Sequence, residues 1–182
     1  MFSYLLRPKK FLPFEYKETV HLIDFQTLYQ DGKRNVLIDL DNTLIPYDES
    51  VPNEILYQFF EALKQTKFNI CIVSNNKKHR IKPFASAIDV PFVYSAKKPF
   101  KKGLKMALEK IDAKKDETVM IGDQIMTDVF AAKRLGIDAI LVKPIKRKSE
   151  KWYTKINRIM ERHVLRTIKK INRSLYDDIT KE

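Results

Sequence analysis

Cysteine is almost absent: Cys71 is the single one in 182 residues, so no intramolecular disulfide can brace this fold. It lies in the apolar run Asn69–Val73, where it reads as a buried strand residue in a reducing compartment rather than a catalytic thiol. Glycine is scarce, with four residues, and the eight prolines form no low-complexity run, which argues against long disordered linkers. No segment approaches the ~20 continuous apolar residues that a membrane-spanning helix needs. The first dozen residues mix Phe2, Leu5 and Leu6 with Arg7, Lys9 and Lys10. They offer neither an apolar core nor a small-residue cleavage site, so a secretory signal is not expected. These absences favour a cytoplasmic chain that approaches a membrane, if at all, peripherally at its inner face.

What is present suffices for one globular domain, since 44% of the residues are apolar. The net charge of +12 is uneven: residues 143–182 hold 13 Lys and Arg against 5 Asp and Glu, which accounts for +8 of it. A basic excess in the last fifth of the chain points to an anionic partner, either lipid headgroups or nucleic acid.

Apolar runs and helical patterns alternate after an N-terminal arm of residues 1–34. Strands are predicted at Asn35–Leu40, Asn69–Val73, Phe92–Tyr94, Thr118–Ile121 and Ala139–Val142. Helices are predicted from Pro52 to about Thr66, at Lys77–Ala87 with an interruption near Pro83, at Phe100–Ile111, and at Ile125–Leu135, closed by Gly136. Strands that are apolar throughout, separated by single helices, indicate an α/β fold: a doubly wound, Rossmann-like parallel sheet covered on both faces. Residues 35–145 are expected to form this core and 146–182 a basic helical extension. Ligands of such folds bind beyond the carboxyl ends of the strands, so the residues just after each apolar run are the candidates for function.

The first strand runs into Asp39-Leu40-Asp41-Asn42-Thr43, and alternation places Asp39 and Asp41 on one side of an extended chain. Two carboxylates at a buried strand end call for a cation or a shared proton, although a polar turn entering Pro46 also fits this motif alone. The second strand ends in Ser74-Asn75-Asn76, the third leads into Lys97-Lys98-Pro99, and the fourth into Gly122-Asp123-Gln124 with Thr127-Asp128. A hydroxyl, an ammonium and several carboxylates at neighbouring strand ends are what phosphoryl transfer requires. Asn42, Asn75 and Asn76 either order these loops or touch substrate, and Lys97 reads as a solvated charge. His79 and His163 show no metal-ligand spacing.

These motifs, in this order, resemble those of the haloacid-dehalogenase (HAD) superfamily over about residues 35–142. The Ser74-Asn75-Asn76, Lys98-Pro99 and Gly122-Asp123-Gln124 signatures, with Phe11-Leu12-Pro13, are most similar to its subfamily IIIA branch of YqeG-type phosphatases, which is related to the mitochondrial phosphatidylglycerophosphate phosphatases. The resemblance implies Asp39 as covalent nucleophile and Asp41 as acid–base partner. It implies Mg2+ held by Asp39, the Asp41 main-chain carbonyl, Asp123 and Asp128. It also implies phosphate oxygens bound by Thr43, Ser74, Asn75 and Lys98. Asp41, two residues beyond the nucleophile, favours phosphatase over dehalogenase chemistry.

Many members insert a cap domain between these motifs. Here 34 residues lie between Asp39 and Ser74 and 23 between Ser74 and Lys98, room for one crossover helix each. An uncapped site suits a phosphorylated substrate presented on something large, and an anionic phospholipid such as phosphatidylglycerophosphate is the leading expectation. From Trp152, the residues Ile156, Ile159, Met160, Val164, Ile168 and Ile171 recur at helical spacing opposite a basic face. That helix either packs on its own domain, docks peripherally on anionic lipid, or binds RNA. A phosphatase acting on a protein, nucleotide or nucleic-acid end, and a non-enzymatic RNA-binding or ribosome-assembly module, are the competing readings. The full acidic set counts against the last.

Overall fold

The structure is a computed structural model that describes residues 8–145 and 163–181. Six parallel strands form one sheet: β1 (Glu15–Lys17), β2 (Asn35–Ile38), β3 (Asn69–Val73), β4 (Phe92–Val93), β5 (Thr118–Gly122) and β6 (Asp138–Val142). Their spatial order is β1-β6-β5-β2-β3-β4. The register sets Ile38 beside Ile72 on one flank and beside Ile121 on the other. Chain order reverses on either side of β2, so the residue after Ile38 stands at the switch point where such sheets bind ligands.

Strand alternation divides the core in two. Val36, Ile38, Ile70, Ile72, Val119, Ile121 and Ile140 face one side, and Leu37, Cys71, Val73, Met120, Ala139 and Leu141 the other. The first side receives α1 (Phe25–Gln30), α2 (Glu54–Gln65) and α3 (Lys78–Ala87), through residues such as Leu28, Phe60 and Phe84. The second receives α4 (Lys101–Lys110) and α5 (Phe130–Leu135), through Leu104, Ala107 and Leu135. With both faces covered, the central strands lose all polar alternation, which is why they read as continuous apolar runs. Cys71 is fully covered, and burial pushes its thiol up to about 12, so it is a packing residue and not a nucleophile.

Several boundaries differ from the sequence expectation, each for a local reason. Helix α2 begins at Glu54 rather than Pro52, because the Asn53 side chain caps it by accepting the Leu56 N–H at 3.0 Å. Pro83 lies inside α3 without ending it, since six residues into a helix it removes one internal hydrogen bond from a segment whose Ile81, Phe84 and Ala85 are buried. The pattern of residues 1–34 predicts neither β1 nor α1. β1 is a three-residue edge strand paired with β6, and α1 is a six-residue helix capped by Asp24, so both are too short for periodicity to show.

At the C-terminus residues 163–171 are helical (α6), and Asn172 ends that run by capping α7 (Arg173–Thr180). Val164 and Ile168 are buried in the second half of the core, so this part of α6 packs on its own domain, while Ile171 at its end stays exposed. The start of the amphipathic helix expected from Trp152, up to Arg162, lies outside the described residues. Among the described residues no helix is long and apolar enough to cross a membrane.

Candidate active site

The sheet brings its motif residues together at the carboxyl ends of β2, β3 and β5. Asp39 comes directly after β2 and donates its N–H to the Ile121 carbonyl of β5 at 2.9 Å, which extends the strand pairing by one residue. The chain then turns sharply. Asn42 adopts a left-handed backbone with φ 63°, which asparagine tolerates, and donates its N–H to the Ile45 carbonyl at 2.8 Å. This turn carries Thr43 back into the site, where its hydroxyl donates to Asp123 Oδ1 at 3.3 Å.

Asp39, Asp123 and Asp128 are all buried, and each places a carboxylate oxygen within 4.8 Å of the others. Lys98 is the buried cation among them. Its Nζ lies 2.5 Å from Asp39 Oδ1 and 2.6 Å from Asp128 Oδ1, and it donates to the Val73 carbonyl at 2.7 Å. If all three carboxylates are ionised, one ammonium leaves two negative charges for protons or a cation to balance. Burial pushes Asp39 up to about 7; Lys98 pulls it down, while Asp128 and Asp41 push it further up. Asp123 is raised well above the usual carboxylate range, first by burial and then by Asp128 and Asp39. Burial works against the charge on Lys98, but Asp128 and Asp39 outweigh it and hold the ammonium above its ordinary value.

Asp128 reaches this cluster through an irregular helix start. The segment after β5 opens with a π-turn over Ile125–Val129 before α5 continues it, where the sequence predicts one regular helix. The wider turn points the Asp128 carboxylate back at the strand end, where it accepts the Gln124 N–H at 3.2 Å and the Thr127 hydroxyl at 3.3 Å. Gly122 makes room for it: a Cβ there would collide with the Asp128 carboxylate carbon.

Asp41 keeps different company, although alternation suggests a shared side with Asp39. Its Oδ2 accepts the Ser74 hydroxyl at 3.2 Å and the Asn76 carboxamide at 2.9 Å, and its Oδ1 lies 2.8 Å from an Arg80 guanidinium nitrogen. The two aspartates are thus held by separate partners, one by Lys98 and one by Arg80. The Asn75 carboxamide is used on the main chain of Lys98, donating to its carbonyl at 3.0 Å and accepting its N–H at 2.7 Å. That clamp fixes the segment around the cis Lys98–Pro99 bond.

Arg80 escapes the sequence reading, although it leaves a signal. Helix α3 opens with Lys78, His79 and Arg80 and has no acidic residue in its first turn. Cations at a helix N-terminus oppose the macrodipole, so such a cluster needs a partner outside the helix. For Arg80 that partner is Asp41.

Fold and site together describe an α/β protein with a buried cluster of carboxylates at the carboxyl edge of a parallel sheet. A family model of haloacid dehalogenase-like hydrolases matches residues 17–136, and the chain belongs to that family. It is 36% identical over 162 residues to a protein of Bacillus subtilis described as probable phosphatase YqeG, covering 89% of this chain and 94% of that one. It is 24% identical to the chloroplastic/mitochondrial phosphatidylglycerophosphate phosphatase 1 of Arabidopsis thaliana, covering 98% of this chain and 56% of that longer protein. Among solved structures, a predicted HAD-like family hydrolase from Porphyromonas gingivalis superposes with a TM-score of 0.51 at 14% identity, covering 71% of this chain and 98% of that one. The enzyme is a phosphatase of the HAD type.

Proposed function

We propose that this enzyme is a magnesium-dependent phosphomonoester hydrolase that works through an aspartyl-phosphate on Asp39 and acts on a membrane-presented lipid phosphate such as phosphatidylglycerophosphate. The observation that carries the chemical reading is the division of the two aspartates: Asp39 sits with Lys98 in the carboxylate cluster, while Asp41 is held apart by Ser74, Asn76 and Arg80. A nucleophile and an acid–base group need such different surroundings.

The donor set suits a hard divalent cation. Asp39, Asp123 and Asp128 offer only oxygen and, once all three are ionised, carry two charges beyond what Lys98 balances. These three carboxylates, with the Asp41 main-chain carbonyl, would hold Mg2+. The ion when bound supplies neutralisation of the transferred phosphoryl group.

The remaining steps belong to the protein. An Asp39 carboxylate oxygen attacks phosphorus as the ester P–O bond breaks, and Asp41 gives its proton to the departing alkoxide. Asp41 then takes a proton from the water that attacks the phosphorus of the acyl phosphate, which frees inorganic phosphate and restores Asp39. Thr43, Ser74 and Lys98 present donors to the phosphoryl oxygens. Asn75 acts one step back, by setting the Lys98 main chain. Arg80 holds Asp41 in place, and Arg80→Leu is expected to lower turnover of an alkyl phosphate about 10²-fold. For the first half-reaction followed in a single turnover, 4-nitrophenyl phosphate, whose leaving group needs no proton, should show a loss of only a few-fold. Equal losses on the two esters in that first half-reaction would separate Arg80 from proton transfer to the leaving group.

The metal reading has its own check in stability. With its carboxyl raised in the folded state, Asp39 binds a proton more tightly when folded than when unfolded. Its contribution to stability is therefore complete below about pH 4 and is lost as pH rises through about 7. A cation that binds the ionised cluster offsets that loss, so the rise in Tm on adding Mg2+ should be larger at pH 8 than at pH 5.5. A rise that is equal at both, or absent, would count against this cluster as the metal site.

The substrate reading is supported by the relative named for phosphatidylglycerophosphate and by the openness of the site. Between β2 and β3 the described chain forms α2 and its loops and nothing large enough to close over a small metabolite. Phosphate release from phosphatidylglycerophosphate in micelles, measured beside water-soluble esters with Mg2+ or a chelator, tests this. The lipid should be preferred by at least about tenfold in kcat/KM, and a preference for a nucleotide or phosphopeptide would replace it.

A further inference from the structure

The sheet edge beside the catalytic cluster carries a feature that hydrolysis leaves unused. A groove of about 820 Å³ runs along β4 and α4, with Tyr94, Phe100 and Met106 in its wall and Lys97, Lys102 and Lys110 beside them. These apolar side chains are 46%, 64% and 47% exposed, which the core does not require, because α4 already packs inward through Leu104, Ala107 and Leu108. The groove's lining includes Ser95, Ala96 and Lys97, the residues that lead directly into Lys98. Glu109 is the one carboxylate among its lining residues. On its outer side β4 has no neighbouring strand among the described residues, which leaves this flank of the sheet open.

We propose that this groove docks the enzyme on an anionic lipid interface, with the lysines pairing to headgroup phosphates and Tyr94, Phe100 and Met106 entering the acyl boundary. The proposal rests on the lipid-substrate reading. It moves the lipid contact away from α6, whose Val164 and Ile168 are already buried in the protein core. Exposed large apolar residues flanked by lysines are the signature of interfacial binding, and each lysine strengthens attachment to an anionic surface by about fivefold. Tyr94 and Phe100 also offer rings on which bases can stack, so nucleic acid is the competing occupant that the test must separate. Docking along this edge would bring the phosphate of a membrane lipid to the strand ends without withdrawing the lipid from the bilayer.

The test compares the full chain with the double variant Phe100→Ser, Met106→Ser. Residue 100 is the N-cap of α4, where serine is favoured, so the helix is not weakened there. Flotation with phosphatidylglycerol–phosphatidylcholine vesicles should show the wild type bound at least about tenfold more strongly than to pure phosphatidylcholine. The double variant should lose about tenfold or more of that binding, with unchanged Tm and unchanged hydrolysis of 4-nitrophenyl phosphate. The charge reversal Lys102→Glu, Lys110→Glu should lose as much while keeping the apolar wall. Binding by both variants within twofold of wild type overturns the proposal. So does tRNA binding that is tighter than vesicle binding and falls in the same variants.

Failure of the substrate reading looks different. Vesicle binding that depends on the groove, with no release of phosphate from phosphatidylglycerophosphate, removes the substrate and keeps the docking surface. Hydrolysis of vesicle-borne phosphatidylglycerophosphate by the double variant at the wild-type rate does the reverse.

Discussion

Asp39→Asn should abolish turnover of every phosphate ester, with a loss on the order of 10⁴–10⁶-fold, as expected if the proposed nucleophile of a concerted catalytic set is removed. Asparagine keeps the shape but cannot form the acyl phosphate. The fold should survive and even gain. Asp39 is the carboxylate whose burial pushes it up to about 7, and above that pH its charge opposes folding. Neutralising it relieves the crowding with Asp123 and Asp128 and leaves Lys98 its contact with Asp128. At pH 8 without metal the variant should match or exceed the wild-type Tm, by about 2–4 °C if 1 kcal/mol is recovered. Its Mg2+-dependent rise in Tm should shrink, since one of three carboxylate ligands is gone. The decisive readout is single-turnover chemistry with 4-nitrophenyl phosphate and acid-stable trapping of phosphoprotein. Activity near wild type in this variant would remove Asp39 as the nucleophile and with it the whole mechanism.

Lys98→Met reverses that pattern. Methionine fills a similar volume but deletes the one ammonium inside the cluster, where Lys98 is 2% exposed and contacts both Asp39 and Asp128. Breaking a buried ion pair from one side typically costs about 3–5 kcal/mol, because the charges left behind are uncompensated. In a chain of this size that corresponds to a fall in Tm of about 10 °C. The fall should be smaller at pH 5 than at pH 8, because Asp39 and Asp123, both raised, take up protons and lose their mutual repulsion. Mg2+ should restore part of the stability at pH 8. Activity should still drop about 10²–10³-fold, the usual effect of removing one donor to a developing oxyanion. A variant as stable as wild type at pH 8 without metal would show that the three carboxylates are not held ionised together.

How far the sequence can be read depends on where each interaction lies in the chain. The central strands are legible because burial on both faces erases polar alternation, and the site is legible because parallel strands deliver their next residues to one edge. Asp39, Ser74, Lys98, Asp123 and Asp128 therefore stand out as a set. Edge elements are not legible. β1 has three residues and takes its stability from β6, more than a hundred positions away, so no local pattern records it.

The sequence by itself determined the class of fold, the order of the motifs and the charged and hydroxyl residues gathered at the strand ends, because those depend on local hydrophobic pattern and on the residues placed just after each strand. Only the tertiary structure decided which residue faces which. It sent Asp41 to Arg80 and Asp39 to Lys98, made Asn75 a clamp on the Lys98 main chain, and buried Val164 and Ile168 of α6. The reason is physical: partner choice among charges depends on distances of a few ångströms set by the turn at Asn42, the π-turn at Ile125–Val129 and the absent Cβ of Gly122. Those distances are fixed by packing between segments far apart in the chain, and sequence spacing does not encode them.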